Sequence, residues 1–266
     1  MGLIDVGVNL TAASLHKRAA EVIANASAVG VTRNVIIGTS IDASTAAVQL
    51  AEQLLGCIAT AGVHPHDAKS VSADFIEQLR SLAQHPQVRA IGECGLDYNR
   101  NFSPPDVQRK VFAAQLELAA ELAMPVYLHE RDAIGDQLAI LDQYIAQLPA
   151  VIVHCFTGDK TALSAYQERD CYIGITGWVC DERRGFDLQQ AVPHIHDNRL
   201  LLETDSPYLM PRTIRPKPKS GTNTPANLPW VLAKVAELRK QTAEELTALT
   251  TTNAIRVFSA WPEATK

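Results

Sequence analysis

The feature that most constrains the fold is a regular alternation between short apolar runs and longer stretches with helical periodicity. Eight runs, each too short for a helix, occur at residues 3–8, 34–38, 57–62, 88–92, 125–128, 150–153, 171–176 and 200–203. Apolar residues recur every three or four positions between them, for instance at 15–29, 43–55, 74–83 and 137–148. Eight such strand–helix units predict an α/β fold, a (β/α)8 TIM-type barrel. The 266 residues fit a single domain of this kind, spanning residues 1–266.

A doubly wound open sheet is the main competing architecture, and its first strand is usually followed by a Gly-rich phosphate turn. The corresponding segment here is GVNL at residues 7–10, which lacks the G-x-G-x-x-G pattern and favours the barrel. For the helix after the fourth strand, Ser103 is the predicted N-cap and Pro104 fits the first turn. Two further helices are predicted at about residues 227–239 and 243–258.

Composition narrows the cellular setting and the class of partner. The formal net charge of −5 argues against a protein that coats nucleic acid non-specifically. The five cysteines form no C-x-x-C pair and are odd in number, which favours reduced thiols in a reducing compartment. Neither a signal peptide nor an apolar run of about 20 residues is visible. We therefore expect a cytoplasmic monomer with no membrane partner.

Polar residues that can bind metal ions stand where several of the apolar runs end. His64 and His66 follow the third run, and Glu93 and Asp97 follow the fourth; the later runs are followed by His129, His154 and Asp205. In a barrel the carboxyl ends of all strands lie on one rim, so these side chains should converge. A lone histidine at a strand end is more often structural, but a burying barrel gains nothing from so many polar groups together. The constellation therefore predicts a metal site.

The donor set leaves the ion and some roles open. Imidazole and carboxylate donors suit Zn²⁺, Mn²⁺ or Fe²⁺, and Mg²⁺ is acceptable where phosphate and water supply further oxygens. His66 fits either an orienting residue or an ordinary loop position. By strand alternation Cys94 and Cys155 should point away from the ligands into the core. A carboxylate at position 93 can bridge two cations, an arrangement that suits phosphodiester hydrolysis.

These segments resemble the TatD family of metal-dependent deoxyribonucleases. The matching segments are AGVHPH at 61–66, IGECGLDY at 91–98, HCFTG at 154–158, GITGWVCDERRG at 174–185 and LETDSPY at 202–208. The resemblance spans residues 3 to about 260. It implies a barrel hydrolase that removes nucleotides 3′→5′, preferentially from single-stranded DNA or 3′ ends, with RNA as an alternative substrate. A role in DNA repair or turnover goes with it, and Mg²⁺ is favoured over Mn²⁺, with Zn²⁺ ranked behind them.

The resemblance also implies roles for individual residues. Glu93 is the bridging carboxylate, and His129 and His154 are metal ligands. Asp205 is a ligand or the base beside the attacking water, whereas His64 contacts the scissile phosphate or assists the leaving group. Most of the wider family has His-x-His at the end of the first strand. This chain has Gly7 and Asn9 there, so we expect one ion position to be weakly or differently ligated.

Substrate contacts are expected on the loops around the rim. A Pro- and Lys/Arg-rich loop follows the eighth strand and carries Arg212, Arg215 and Lys217, which are candidates for phosphate contacts. Trp178 is a candidate for stacking on an unpaired base. Two alternatives remain: a hydrolase of another ester or a cyclic amide, which would ignore DNA, and a barrel with a degraded site that serves only as a binding module. The basic loop argues against the first, and the intact set of candidate ligands argues against the second.

Overall fold

Eight parallel strands form one sheet in a computed structural model that describes residues 2–259 and 261. The strands pair in chain order and run over β1 Leu3–Val8, β2 Val31–Ile36, β3 Cys57–Ala61, β4 Val88–Asp97, β5 Val126–Arg131, β6 Val151–Val153, β7 Tyr172–Ile175 and β8 Leu200–Leu202. A parallel bridge between Val8 and Ser206 joins the first strand to the segment after the last. The predicted (β/α)8 barrel is confirmed.

Helices occupy the connections between the strands. They are α1 Ala13–His16, α2 Ala19–Ala28, α3 Ile41–Gln53, α4 Phe75–Ala83, α5 Pro105–Glu121, α6 Ile134–Leu141, α7 Lys160–Gln167, α8 Phe186–Ala191, α9 Leu228–Arg239 and α10 Ala243–Phe258. Their apolar faces pack with the outer face of the sheet in one large core. Among the described helices, none has the length and apolar character needed to cross a bilayer.

A second, smaller core fills the interior of the barrel. It combines residues from all eight strands with residues at the end of α10, among them Tyr127, Leu201 and Phe258. Apolar side chains of the described residues therefore fill this part of the barrel interior and leave no open channel through it. The candidate metal-binding side chains lie toward the other end, where the carboxyl ends of the strands meet; we call this end the mouth.

The sequence misplaced several boundaries. Strand β4 continues to Asp97 and β5 to Arg131, because the two strands stay paired from Cys94 opposite Leu128 onward. Glu93 and His129 thus lie within strands rather than after them. The Ser103 cap was wrong: its hydroxyl donates to the His66 carbonyl at 2.9 Å and accepts from the Lys69 amide at 3.0 Å. It ties the His66 loop to the start of α5 instead.

Candidate metal centre

Three imidazoles surround one carboxylate oxygen at the mouth. Glu93 Oε1 lies 3.0 Å from His129 Nδ1, 3.4 Å from His64 Nε2 and 3.8 Å from His154 Nε2. The Glu93 side chain is only 6% exposed. Strands β4 and β5 supply the carboxylate and one imidazole, and the segments that follow β3 and β6 supply the other two. A buried carboxylate encircled by nitrogen donors is the environment that a bridging metal ligand requires.

Asp205 approaches the same His154 nitrogen that Glu93 faces. Its Oδ1 lies 3.7 Å from His154 Nε2 and accepts a hydrogen bond from the Asn9 amide at 2.9 Å. Asp205 has a positive φ of 54°, an uncommon conformation for a non-glycine residue that is met mostly at turns and functional sites. The sequence-predicted ligands Glu93, His129, His154 and Asp205 are therefore brought together in space, as is His64.

The donor set suits a divalent ion. Donors about 2.1 Å from one ion stand roughly 3 to 3.5 Å apart, close to the spacings around Glu93 and Asp205. Two groups of donors can be distinguished, one comprising His64, Glu93 and His129 and the other His154, Cys155 and Asp205. Because Glu93 Oε1 also faces His154, this carboxylate lies between the groups and can serve both.

Burial and neighbouring charges shift the proton affinities of these groups. Burial opposes the ionisation of Glu93, but the His64 and His154 imidazoles outweigh it and hold the pKa of Glu93 well below its usual value. For Asp205, burial dominates and the charge on Glu93 adds to it, so its pKa rises to about 7 despite His154. Burial alone would lower the pKa of both candidate ligand histidines, His129 and His154. Nearby carboxylates reverse this and raise the pKa to about 9 for His129 and about 10 for His154.

Two further carboxylates lie behind the candidate ligands: Asp97, which the sequence indicated only as a possible metal-binding residue, and Glu203, which it did not single out. Asp97 Oδ2 lies 2.7 Å from His66 Nε2 and 3.4 Å from His129 Nε2. Glu203 Oε2 lies 2.8 Å from His154 Nδ1. A carboxylate that is hydrogen-bonded to the second nitrogen of a ligand histidine fixes its tautomer and orientation, which applies to Glu203 and His154. The signal was present in the sequence, since both residues accompany a predicted ligand at a strand end.

The structure also shows where His66 and the two cysteines lie. His66 pairs with Asp97 and stacks edge-on against Phe102, with ring centroids 4.7 Å apart, so it is not an isolated loop residue. Cys94 is buried in the large core, as expected. For Cys155 the core interpretation was wrong, because a positive φ of 46° breaks the strand alternation and turns its side chain toward the mouth.

The mouth opens into a cavity of about 510 Å³. Trp178 lines it together with the candidate ligands, and the Arg184 guanidinium lies 4.4 Å from the centre of the indole ring. The basic loop lines a separate cavity of about 620 Å³ at residues 210–221, which includes Arg212, Arg215 and Lys217. Arg212 is already paired with Glu182 at 3.1 Å. These basic residues therefore lie beside the metal centre and not in it.

Fold and site together define a barrel hydrolase of the metal-dependent class. The chain matches the TatD related DNase family over residues 4–259 and belongs to it. It is 48% identical to the 3′-5′ ssDNA/RNA exonuclease TatD of Klebsiella pneumoniae (strain 342) over 256 residues, 96% of this chain and 97% of that protein. The 3′-5′ ssDNA/RNA exonuclease TatD of Citrobacter rodentium (strain ICC168) shows the same identity and coverage. The family resemblance noted in the motifs is confirmed.

Solved structures agree on the fold. The TatD homologue YJJV of Escherichia coli superimposes with a TM-score of 0.89 at 24% identity, covering 97% of this chain and 98% of that one. A TatD family hydrolase of Entamoeba histolytica gives the same TM-score at 20% identity, again covering 97% and 98%. At such identities the likeness concerns the barrel and its topology alone.

Proposed function

We propose that this protein is a metal-dependent exonuclease that hydrolyses single-stranded DNA from its 3′ end and also accepts RNA. The observation that carries the proposal is the arrangement at Glu93, where one buried carboxylate oxygen faces three imidazole nitrogens and Asp205 approaches one of the three. The relatives that match almost the whole chain are named as 3′-5′ exonucleases of single-stranded DNA and RNA, which supports these substrates. Glu93, His129, His154 and Asp205 would hold the ion, with Mg²⁺ favoured and Mn²⁺ an alternative.

Each residue of the centre has a chemical task. A bound divalent ion neutralises phosphate charge and acidifies water. Asp205 would accept a proton from the attacking water, beside which the ion holds it. Asn9 holds Asp205 in place through its amide. Because Gly7 and Asn9 offer no imidazole to the ion, we expect activity to need metal at high micromolar to millimolar concentrations.

His64 is suited to the phosphate rather than to the ion. Its Nδ1 accepts the His66 backbone amide at 3.1 Å, and burial lowers its pKa, so the neutral ring carries its proton on Nε2. That Nε2–H faces the Glu93 side of the cavity. It can therefore donate to a phosphate oxygen or to the leaving group.

The positions of the two cavities suggest a path for the bound nucleic acid. Tyr208 and Leu209 line the metal cavity, and the basic cavity begins at the next residue, Met210. A nucleic acid leaving the mouth would meet Arg215 and Lys217 with its phosphates, while Trp178 stacks on a base near the ion. Cutting at free ends would suit DNA repair or turnover by a cytoplasmic monomer.

End-labelled substrates test the proposal. EDTA-treated protein is incubated with 3′- and 5′-labelled single-stranded DNA, duplex DNA and RNA, with Mg²⁺, Mn²⁺ or Zn²⁺ restored. We expect mononucleotides released from 3′ ends of single strands, dependent on added metal. Turnover of a cyclic amide or small ester without action on nucleic acid would favour the alternative hydrolase. Binding without turnover under every metal would favour the degraded barrel.

A further inference from the structure

The first-strand glycine borders a filled slot rather than an empty ligand position. Gly7 has no positive φ, so its backbone would accept a side chain, yet a Cβ built there overlaps both the Tyr127 hydroxyl and Glu203 Oε2. On the other side, a Cβ on Gly174 would lie 2.5 Å from Glu203 Oε1. The Glu203 carboxylate thus occupies a slot between two glycines from β1 and β7. A side chain at position 7 and this carboxylate exclude each other.

Both oxygens of the Glu203 carboxylate and the Tyr127 hydroxyl oxygen take part in hydrogen bonds. Tyr127 OH donates to Glu203 Oε2 at 2.5 Å, and the Cys155 backbone amide donates to Oε1 at 2.5 Å. His154 Nδ1 lies 2.7 Å from the Tyr127 oxygen and 2.8 Å from Glu203 Oε2. Tyr127 and Glu203 are fully buried, and His154 is 5% exposed. With its oxygens occupied in this way, Glu203 is not placed to ligate the ion itself.

Proton counting fixes the tautomer of the neutral ring. A tyrosine hydroxyl has one proton, and here that proton goes to the carboxylate. The Nδ1 of His154 must then be the donor toward the Tyr127 oxygen and the carboxylate. Its Nε2 is left with a lone pair, directed to the space between Glu93 and Asp205 at 3.8 and 3.7 Å. This is the form that a histidine needs in order to ligate a metal.

We propose that Tyr127 and Glu203 are positioning residues which fill the space left by Gly7 and fix His154 as a metal ligand. Gly7 is accordingly not a lost ligand: its missing side chain makes room for the pair. The proposal rests on the metal centre of the proposed function, not on the nucleic-acid substrate. The tyrosine hydroxyl and the carboxylate act through His154, and neither touches the substrate or the ion.

The first test removes the Tyr127 hydroxyl and the Glu203 charge in separate variants. Metal affinity is measured by calorimetry with Mn²⁺, in the absence of nucleic acid, for the wild type, Tyr127→Phe and Glu203→Gln. Loss of a group that orients a ligand histidine costs about 10- to 100-fold in affinity. We expect about tenfold for Tyr127→Phe and more for Glu203→Gln. Unchanged affinity in both variants would overturn the proposal, even if the protein proves to be a nuclease.

Alanine substitutions at Gly7 and at Gly135 provide a matched steric test. Gly7→Ala adds a methyl group that overlaps the pair, whereas the same change at Gly135, where a Cβ meets nothing within 4 Å, is the control. We expect weaker metal binding for Gly7→Ala only. Because that methyl group already displaces the hydroxyl, adding Tyr127→Phe to it should cost less than Tyr127→Phe alone. Strictly additive effects would contradict a shared slot.

A spectroscopic signature separates positioning from general stability. In the Mg²⁺-loaded protein, the ¹⁵N spectrum of the His154 ring should show a proton on Nδ1 and none on Nε2. Glu203→Gln should disturb this pattern while the thermal unfolding midpoint changes little. A wild-type ring protonated on Nε2 in the loaded protein would overturn the assignment.

Discussion

The Asn9 amide donates to Asp205 Oδ1 at 2.9 Å and thereby links the end of the first strand to the segment after the last. Asn9 stands at one of the two positions where the family resemblance led us to expect a histidine ligand. The hydrogen bond favours the ionised carboxylate and lowers the pKa of Asp205, against burial, which raises it. The end of the first strand therefore still contacts the candidate metal centre, through a hydrogen bond to Asp205 rather than through an imidazole.

Removing this hydrogen bond should shift the pH dependence of catalysis. In Asn9→Ala the pKa of Asp205 rises, so a larger fraction of the base is protonated at a given pH. The acidic limb of kcat/KM should move upward by about one pH unit, the equivalent of one hydrogen bond to a charged group. Asn99→Ala, which breaks an exposed amide–carboxylate pair with Asp132, is the control. Superimposable profiles for Asn9→Ala and wild type would show that the contact does not tune Asp205.

Metal binding should release protons. The carboxylates around His129 and His154 raise the pKa of these imidazoles to about 9 and 10, so both are protonated at neutral pH without metal. An ion must displace those protons, and its affinity should rise as pH increases from 7 to 9. Calorimetry in buffers with different ionisation enthalpies gives the number released, and we expect at least one per ion. Heats independent of the buffer would contradict the assignment of these ligands.

The basic loop should contribute to nucleic-acid binding but not to the chemistry. Arg215→Ala combined with Lys217→Ala removes about two phosphate contacts, which on single strands lowers the log–log salt slope by roughly 1.4. The affinity for single-stranded DNA is measured against salt in EDTA, so that no hydrolysis occurs. Hydrolysis of a small phosphodiester without flanking nucleotides should hardly change.

A double substitution elsewhere controls for net charge. Lys234→Ala with Lys240→Ala removes the same charge from α9 and its C-terminal end, outside both cavities. This variant should keep the wild-type slope. Equal slopes in the loop variant and the wild type would mean that the loop is only a solvated connection.

Asp5 should make the fold less stable as pH rises. Burial raises its pKa to about 8, although hydrogen bonds from Thr204 and Gly7 lower it. The unfolded chain loses this proton near pH 4, so between about pH 4 and 8 the folded state alone holds it. The stability it contributes is full below pH 4 and is lost as pH rises through 8.

Asp5→Asn removes this titration. The free energy of unfolding is measured with urea at several pH values. The value for Asp5→Asn minus that for the wild type should increase steadily from pH 4 to pH 8. Asp42→Asn in the exposed first turn of α3 is the control and should show no such trend. A constant difference between Asp5→Asn and wild type across that window would contradict a protonated Asp5.

The sequence predicted the barrel because strands buried on both faces must be apolar, and it predicted the converging ligands because strand ends share one rim. It failed where a glycine resembled a strand end. The predicted fourth run ends at Gly92, before Glu93, but Gly92 lies within a strand that remains paired to β5. The roles of Asp97 and Glu203 could not be predicted either. They depend on which nitrogen each carboxylate meets, and periodicity carries no such information.

The state of the basic residues was also beyond the sequence. A run of charges does not show which are already neutralised, and Arg212 proves to be paired with Glu182. Gly7 was interpreted as a missing ligand, since only the folded structure shows the Tyr127 hydroxyl and Glu203 in the adjacent space. The sequence shows that position 7 has no side chain. It does not show that Tyr127 from β5 and Glu203 after β8 fill the adjacent space.

The central claim is that Glu93 holds the ion with His129, His154 and Asp205. The most direct measurement is anomalous diffraction from crystals soaked in Mn²⁺, with Glu93→Gln crystals treated identically. We predict an anomalous peak within about 2.3 Å of the Glu93 carboxylate and at least one ligand imidazole. The peak should weaken or vanish in Glu93→Gln, together with a loss of kcat of more than about a hundredfold. An ion bound elsewhere, or a Glu93→Gln variant with normal turnover, would contradict the account.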